Sequence, residues 1–149
     1  MPGTLRQVIR QGRFEVRINC CFRRVMEECG KQRDGGTWIS GDLVDAYTRL
    51  HEMGFAHSVE TWRNGELVGG LYGVAINAAY FGESMFFRER DASKVALVAL
   101  VERLRSRGFL LLDTQATTKH LRAFGAIDIP AKQYMERLEV ALTKEASFG

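Results

Sequence analysis

Proline is nearly missing from this sequence, with two in 149 residues, and cysteine is sparse, with three. No apolar run approaches the roughly 18 residues that a membrane-crossing helix requires. Met1 to Gly12 also lacks the apolar core of a signal peptide. Cys20, Cys21 and Cys29 are odd in number, two are adjacent, and none falls in a CxxC spacing. That pattern argues against a disulfide framework or a zinc site and predicts reduced thiols in a cytoplasmic protein. Charge of one sign is scarce too: 21 Lys and Arg against 18 Asp and Glu leave a formal +3, too little by itself to imply nucleic-acid binding. The excess is unevenly placed. Arg6, Arg10, Arg13, Arg17, Arg23 and Arg24 crowd the start, as either a solvated face or a phosphate-contacting one. With 46% hydrophobic residues, no repeat and no convincing linker, residues 1–149 are expected to form one domain with its own core.

What is present reads as alternating elements. Thr4 to Arg13 is polar, a short helix or an arm. Phe14, Val16 and Ile18 alternate with polar residues at the period of a half-buried strand. Asn19 is a candidate cap for a helix with Phe22, Val25, Met26 and Cys29 on one face, closed at Gly30. A loop over Lys31 to Gly36 precedes a second helix, with Ser40 and Asp42 as candidate caps and Leu43, Ala46, Tyr47, Leu50 and Met53 as its apolar stripe. Ala56 to Trp62 and Glu66 to Ile76 read as antiparallel strands, because Asn64-Gly65 between two apolar runs is a strong hairpin signal. Gly69, Gly70 and Gly73 inside the second strand mark a bulge, or a close approach of backbone or ligand.

The centre of the chain is Tyr80 to Gln115: a third meander strand to Phe87, an apolar helix from Asp91 to Arg107, and a strand from Phe109 to Gln115 expected to lie centrally. A short helix over Thr117 to Phe124 and a last helix from Pro130, with Tyr134, Leu138, Ala141 and Leu142 inward, complete the prediction. A meander followed by strand, helix and strand implies a mixed, mainly antiparallel sheet with one parallel crossover. This is the acetyltransferase-like (GNAT-like) α/β layout, in which ligands commonly enter where the two parallel strands splay. Within these apolar strands Glu83 and Asp113 stand out, since a carboxylate there costs free energy unless something compensates it. Acetyl-coenzyme A enzymes of this layout cradle a pyrophosphate on a glycine-rich turn. Here the turn is Arg88-Glu89-Arg90-Asp91-Ala92-Ser93, with two acids and no glycine, which argues for another ligand.

Six blocks then matter together: His57-Ser58-Val59-Glu60-Thr61-Trp62, Leu67 to Val74, Gly82-Glu83-Ser84-Met85-Phe86, Asp91-Ala92-Ser93-Lys94, Asp113-Thr114-Gln115, and His120 to Pro130 with Phe124-Gly125-Ala126 inside it. In order and content they resemble the leucyl/phenylalanyl-tRNA–protein transferases, over Trp38 to about Tyr134. The resemblance implies transfer of leucine or phenylalanine from the 3′ end of its aminoacyl-tRNA to the amino-terminal Arg or Lys of a protein, which marks that protein for degradation. It implies no cofactor, no metal and no membrane. Members usually carry a Gly- and Trp-rich subdomain ahead of the segment resembling Leu5 to Gly30; it does not occur in these 149 residues, so the chain reads as a shortened member.

The resemblance also implies roles. Strand alternation puts Asp113 and Gln115 on one face, where the amide would orient the attacking amine and the carboxylate behind it would favour proton loss. Without the resemblance, Asp113 would serve equally to satisfy a neighbouring loop. Glu83 would hold the cationic acceptor, or alternatively pair with an arginine such as Arg88. Thr118 would help place acceptor or ester. Leu71, Met85, Phe86, Leu97, Leu100 and Leu104 would form the aminoacyl pocket, although such a stripe is also ordinary core. Trp38 would stack on the terminal adenine, a contact worth about 1–3 kcal/mol, or pack over the next helix. His51, His57 and His120 read as structural. Two rival readings remain: a non-catalytic relative that binds aminoacyl groups or basic amino termini, and an acyltransferase using another donor such as coenzyme A.

Overall fold

A computed structural model describes residues 3–31, 41–114, 127 and 129–149. The elements in order are α1 (Gly3–Arg10), β1 (Glu15–Ile18), α2 (Phe22–Lys31), α3 (Gly41–Glu52), β2 (Ala56–Arg63), β3 (Glu66–Ile76), β4 (Ala79–Phe87), α4 (Ala92–Ser106), β5 (Leu111–Asp113) and α5 (Ala131–Thr143). The predicted helix over Thr117 to Phe124 lies outside the described residues, as do Trp38, Gln115, Thr118 and His120.

The strands form one sheet in the order β1-β2-β3-β4-β5. The first four pair antiparallel, and β4 pairs parallel with β5. The mixed sheet with a single crossover is therefore the architecture expected. Asn64 and Gly65 take left-handed φ of 53° and 79° in the β2–β3 turn, as a primed two-residue hairpin requires. The last strand is the exception. Among the described residues β5 sits at the sheet edge, not centrally. Its leucines divide between two helices: Leu112 packs with the α4 cluster, and Leu111 packs with Leu138 and Ala141 of α5. Helices on both sides make an edge strand as apolar as a central one.

Each sheet face has its own core. On one, α4 lays Ala96, Leu97, Leu100 and Leu104 over Val59, Leu71 and Tyr80. On the other, α2 packs Phe22, Val25, Met26 and Cys29 against Trp62, Tyr72 and Phe86. The stripe of α3 is rotated from the one expected: Val44 is its buried residue, with Tyr47 and Leu50 beside it, whereas Leu43 and Met53 are exposed. Leu142, expected to face inward from α5, is also exposed.

The strand glycines are answered by the protein's own atoms. A Cβ on Gly69 would stand 2.6 Å from the Ala92 Cβ, so this site lets β3 meet the first turn of α4. A Cβ on Gly73 would collide with the Phe81 carbonyl and stand 2.7 Å from the Tyr80 ring. Both are backbone approaches that only glycine permits.

Asn19 does not cap α2. It adopts φ 57°, its Oδ1 accepts from the Ser58 amide at 2.9 Å, and its Nδ2 meets His57 Nδ1 at 3.0 Å. The α2 entrance is served instead by Glu60, a wholly buried carboxylate on β2. Its Oε2 accepts from the Cys20 and Cys21 amides at 3.0 and 2.9 Å and from the Ser58 hydroxyl at 2.7 Å. Its Oε1 lies 3.3 Å from Trp62 Nε1, which donates to it.

His51 and His57 behave structurally. His51 places Nδ1 2.9 Å from the Ala56 carbonyl and stacks on Phe22 at 4.5 Å. His57 places Nε2 2.9 Å from the Gly54 carbonyl and lies flat on Phe148 at 4.3 Å. Burial holds the His57 pKa below its ordinary 6.5. The unfolded chain therefore binds the proton more tightly. The stability that neutral His57 contributes is present above about pH 6.5 and is lost as pH falls below it. Urea unfolding at pH 7 and pH 5 is expected to show lower stability at pH 5, with a smaller difference in His57→Gln. An unchanged difference in that variant would assign the acid lability elsewhere.

Candidate active site

The parallel strands stay together only briefly. Ala79, Tyr80 and Phe81 pair with Leu111, Leu112 and Asp113; β4 then continues along β3 to Phe87 while β5 ends. The fork coincides with an irregularity in β4. Tyr72 pairs with Ser84, but the next residue, Gly73, pairs with Gly82, so β4 carries one extra residue, Glu83. An extra residue bends a strand and reverses its side-chain alternation. Tyr80, before it, and Met85, after it, consequently both face α4.

An open cleft, with about 430 Å³ of empty space when the solvent at its mouth is included, lies at this fork. Its apolar walls are Leu71 and Met85 from the sheet, Leu97 and Leu100 from α4, and Leu112 from β5. Gly82, Glu83, Ser84, Tyr72 and Thr114 also border it. Four of the six leucine, methionine and phenylalanine positions expected here thus meet around one cavity. The other two do not. Phe86 is 1% exposed in the cluster under α2, on the opposite sheet face. Adjacent residues of a strand point to opposite faces, so Met85 and Phe86 could not both line one slot. Leu104 is buried further along α4 within the same cluster but does not border the cleft.

Glu83 is half-buried at the cleft lip. Arg88, the arginine considered as its partner, pairs with Glu28 at 2.7 Å. Asp113 is half-buried at the end of β5. Its register partner is Phe81, which packs toward α5, so the carboxylate faces α5 while its neighbours Leu112 and Thr114 border the cleft. From α5 the Tyr134 hydroxyl donates to Asp113 Oδ2 at 2.7 Å. That hydrogen bond, with burial and the negative charge beside it, pushes the Tyr134 pKa up to about 12. The sequence reading did not single out Ser84, Thr114 or Leu112. Strand parity could not have found Leu112, because it places Leu112 on the face opposite Asp113, which was expected to face the site.

At the start of α4, Asp91 is left-handed (φ 71°) and lies 3.4 Å from Lys94 Nζ. The Thr61 hydroxyl donates to the Ala92 carbonyl at 3.1 Å. A carboxylate thus stands beside the amides on which an acetyl-coenzyme A enzyme would seat a pyrophosphate. Among the amino-terminal arginines, Arg17 bonds Glu15 at 2.8 Å and lies 4.5 Å from the Trp62 ring. Arg24 lies 5.9 Å from the same ring, and Arg23 bonds Asp45 at 2.9 Å. Among the described residues no cluster of three His, Cys, Asp or Glu could hold a metal ion, and no helix is long and apolar enough to cross a membrane.

Solved structures of similar shape include an aminoglycoside acetyltransferase from an uncultured soil metagenomic sample, at TM-score 0.53 and 17% identity, covering 79% of this chain and 98% of that one. A Trypanosoma brucei acetyltransferase matches at TM-score 0.54 and 15% identity, covering 79% and 93%. At such identities the likeness establishes the acetyltransferase fold alone. Sequence relatives are far nearer. A leucyl/phenylalanyl-tRNA–protein transferase of Chlorobaculum parvum is 51% identical over 147 residues, covering 97% of this chain and 76% of its own length. Those of Herpetosiphon aurantiacus and Maricaulis maris are 51% and 52% identical, covering 99% and 98% of this chain and 76% and 68% of their own lengths. The family model for leucyl/phenylalanyl-tRNA protein transferase matches residues 1–139. With half its residues shared across nearly its whole length, this chain belongs to the leucyl/phenylalanyl-tRNA–protein transferase family.

Proposed function

We propose that this protein transfers leucine or phenylalanine from the 3′ end of an aminoacyl-tRNA to the amino-terminal Arg or Lys of an acceptor protein. The observation that carries the reading is the apolar cleft at the β4–β5 fork, with Asp113 at the end of the adjoining strand, in a member of this family. The aminoacyl side chain enters between Leu71, Met85, Leu97 and Leu100, which sets its ester carbonyl toward the fork. The acceptor's α-amine attacks that carbon. A C–N bond forms, the C–O bond to the ribose breaks, and a proton from the amine ends on the released ribose hydroxyl. Conversion of ester to amide is downhill, so holding the partners in line supplies most of what is needed, up to roughly ten kcal/mol for well-aligned groups.

An α-amine with pKa near ~7.7–8.0 is mostly protonated at pH 7 and must lose a proton to attack. In this reading Gln115 orients the amine, and Asp113, whose carboxylate faces α5 rather than the cleft, favours that loss only through Gln115. Glu83, at the cleft lip, attracts the cationic acceptor terminus. Thr118 and Trp38 are assigned by family pattern to placing the acceptor and the terminal adenosine.

Incubation with leucyl- or phenylalanyl-tRNA and an Arg-initiated peptide is expected to yield the extended peptide. Binding without transfer would mean a non-catalytic relative, and transfer from a coenzyme A thioester would mean a different donor. The slot makes a sharper prediction. Leu97→Phe, which fills it, is expected to lower the preference for Phe over Leu, read as the ratio of kcat/KM, by about tenfold, within the range that one pocket contact commands. An unchanged ratio would place the aminoacyl side chain outside this cleft.

A further inference from the structure

We propose that Tyr134 is a positioning residue for the transfer reaction, its hydroxyl holding the Asp113 carboxylate in the orientation that serves the attacking amine. This rests on the role given to Asp113 above. β5 is three residues long and, among the described residues, sits at the sheet edge, so the backbone restrains its last residue less than a central strand would. A second element supplies restraint. The helix α5 is anchored near its carboxyl end, where the buried Ala141 packs on Ala78 and Ala79 and its carbonyl accepts from the Ala78 amide at 3.0 Å. Leu138 packs beside them. Nearly two turns earlier on the same helix, the Tyr134 hydroxyl reaches Asp113 Oδ2 at 2.7 Å, the length of a charge-assisted O–H···O⁻ bond.

The residue type suits the task. A lysine or arginine in this place would neutralise the carboxylate and weaken its pull on a proton. A phenol fixes one oxygen and leaves the negative charge in place. Because its pKa is pushed up to about 12, it remains a donor throughout the pH range in which an α-amine becomes nucleophilic. The bond spans 21 residues of sequence, and nothing in the local pattern around Tyr134 announces it.

Tyr134→Phe keeps the ring and removes only the donor. Using aminoacyl-tRNA and an Arg-initiated peptide, kcat is expected to fall tenfold or more, while KM for both substrates stays within about twofold. In the double variant Asp113→Asn/Tyr134→Phe the rate is expected to match Asp113→Asn alone, since the hydroxyl acts only through the carboxylate. Leu138→Ala provides the structural control: it loosens the same helix and should lower the melting temperature while leaving kcat within twofold. A wild-type kcat for Tyr134→Phe overturns the proposal. So does a fully multiplicative loss in the double variant, or a Leu138→Ala variant that reproduces the loss of kcat. Should Asp113→Asn itself transfer at the wild-type rate, the role of Asp113 fails instead, and the two failures are told apart.

Discussion

Replacing Asp113 with Asn is expected to lower kcat for aminoacyl transfer by about 10²–10³, within the span attributed to a positioned acid–base group. The substitution is nearly isosteric, and an Asn carbonyl can still accept from the Tyr134 hydroxyl, now 2.7 Å from Oδ2. What disappears is the negative charge. Stability should therefore change little, and KM for the aminoacyl-tRNA should hold, because the proposed slot for the transferred side chain is lined by Leu71, Met85, Leu97 and Leu100 and not by Asp113. Single-turnover transfer to an Arg-initiated peptide, with parallel thermal melts, separates loss of chemistry from loss of fold. A rate within threefold of wild type would remove Asp113 from the mechanism. If the rate fell only with KM for the peptide, the carboxylate would instead be binding the acceptor.

The largest effect on stability is expected at Glu60. Glu60→Ala should destabilise the fold by about 4 kcal/mol, a large share of the 5–15 kcal/mol typical of a domain. The side chain is fully buried, and its loss strands the Cys20 and Cys21 amides, the Ser58 hydroxyl and the Trp62 indole N–H. A buried donor left without its acceptor costs about 1–3 kcal/mol, and partial relaxation keeps the sum below the full total. Glu60→Gln separates charge from geometry. Its carbonyl offers two lone pairs to the three donors that now meet Oε2, and its NH2 cannot accept from Trp62, so a cost of roughly 2–3 kcal/mol is expected, still below that of alanine. Urea denaturation of both variants tests this. An alanine variant within 1 kcal/mol of the wild type would mean that the α2 entrance is held by other means.

The elements that could be read without coordinates are those whose cause is local. The Asn64-Gly65 turn follows from left-handed backbone angles that these residues tolerate, and β3 came out with its expected ends, Glu66 and Ile76. The buried face of α2 follows from three- and four-residue spacing. The strand glycines flagged a close approach, though not that Ala92 and the Phe81 carbonyl would fill it.

Face and neighbour were settled by the tertiary structure, because they depend on contacts made across tens of residues. The extra residue at Glu83 reverses alternation along β4, so a pattern read straight through Tyr80 to Phe87 misassigns one half. Helices on both sides make β5 look central although, among the described residues, it lies at an edge. Glu60 serves a helix entrance 40 residues away, and Tyr134 reaches Asp113 across 21. Chain periodicity chose the helices and strands here, since backbone preference and side-chain spacing act within a few residues. Which carboxylate meets which donor was decided only when packing brought distant segments within hydrogen-bond reach.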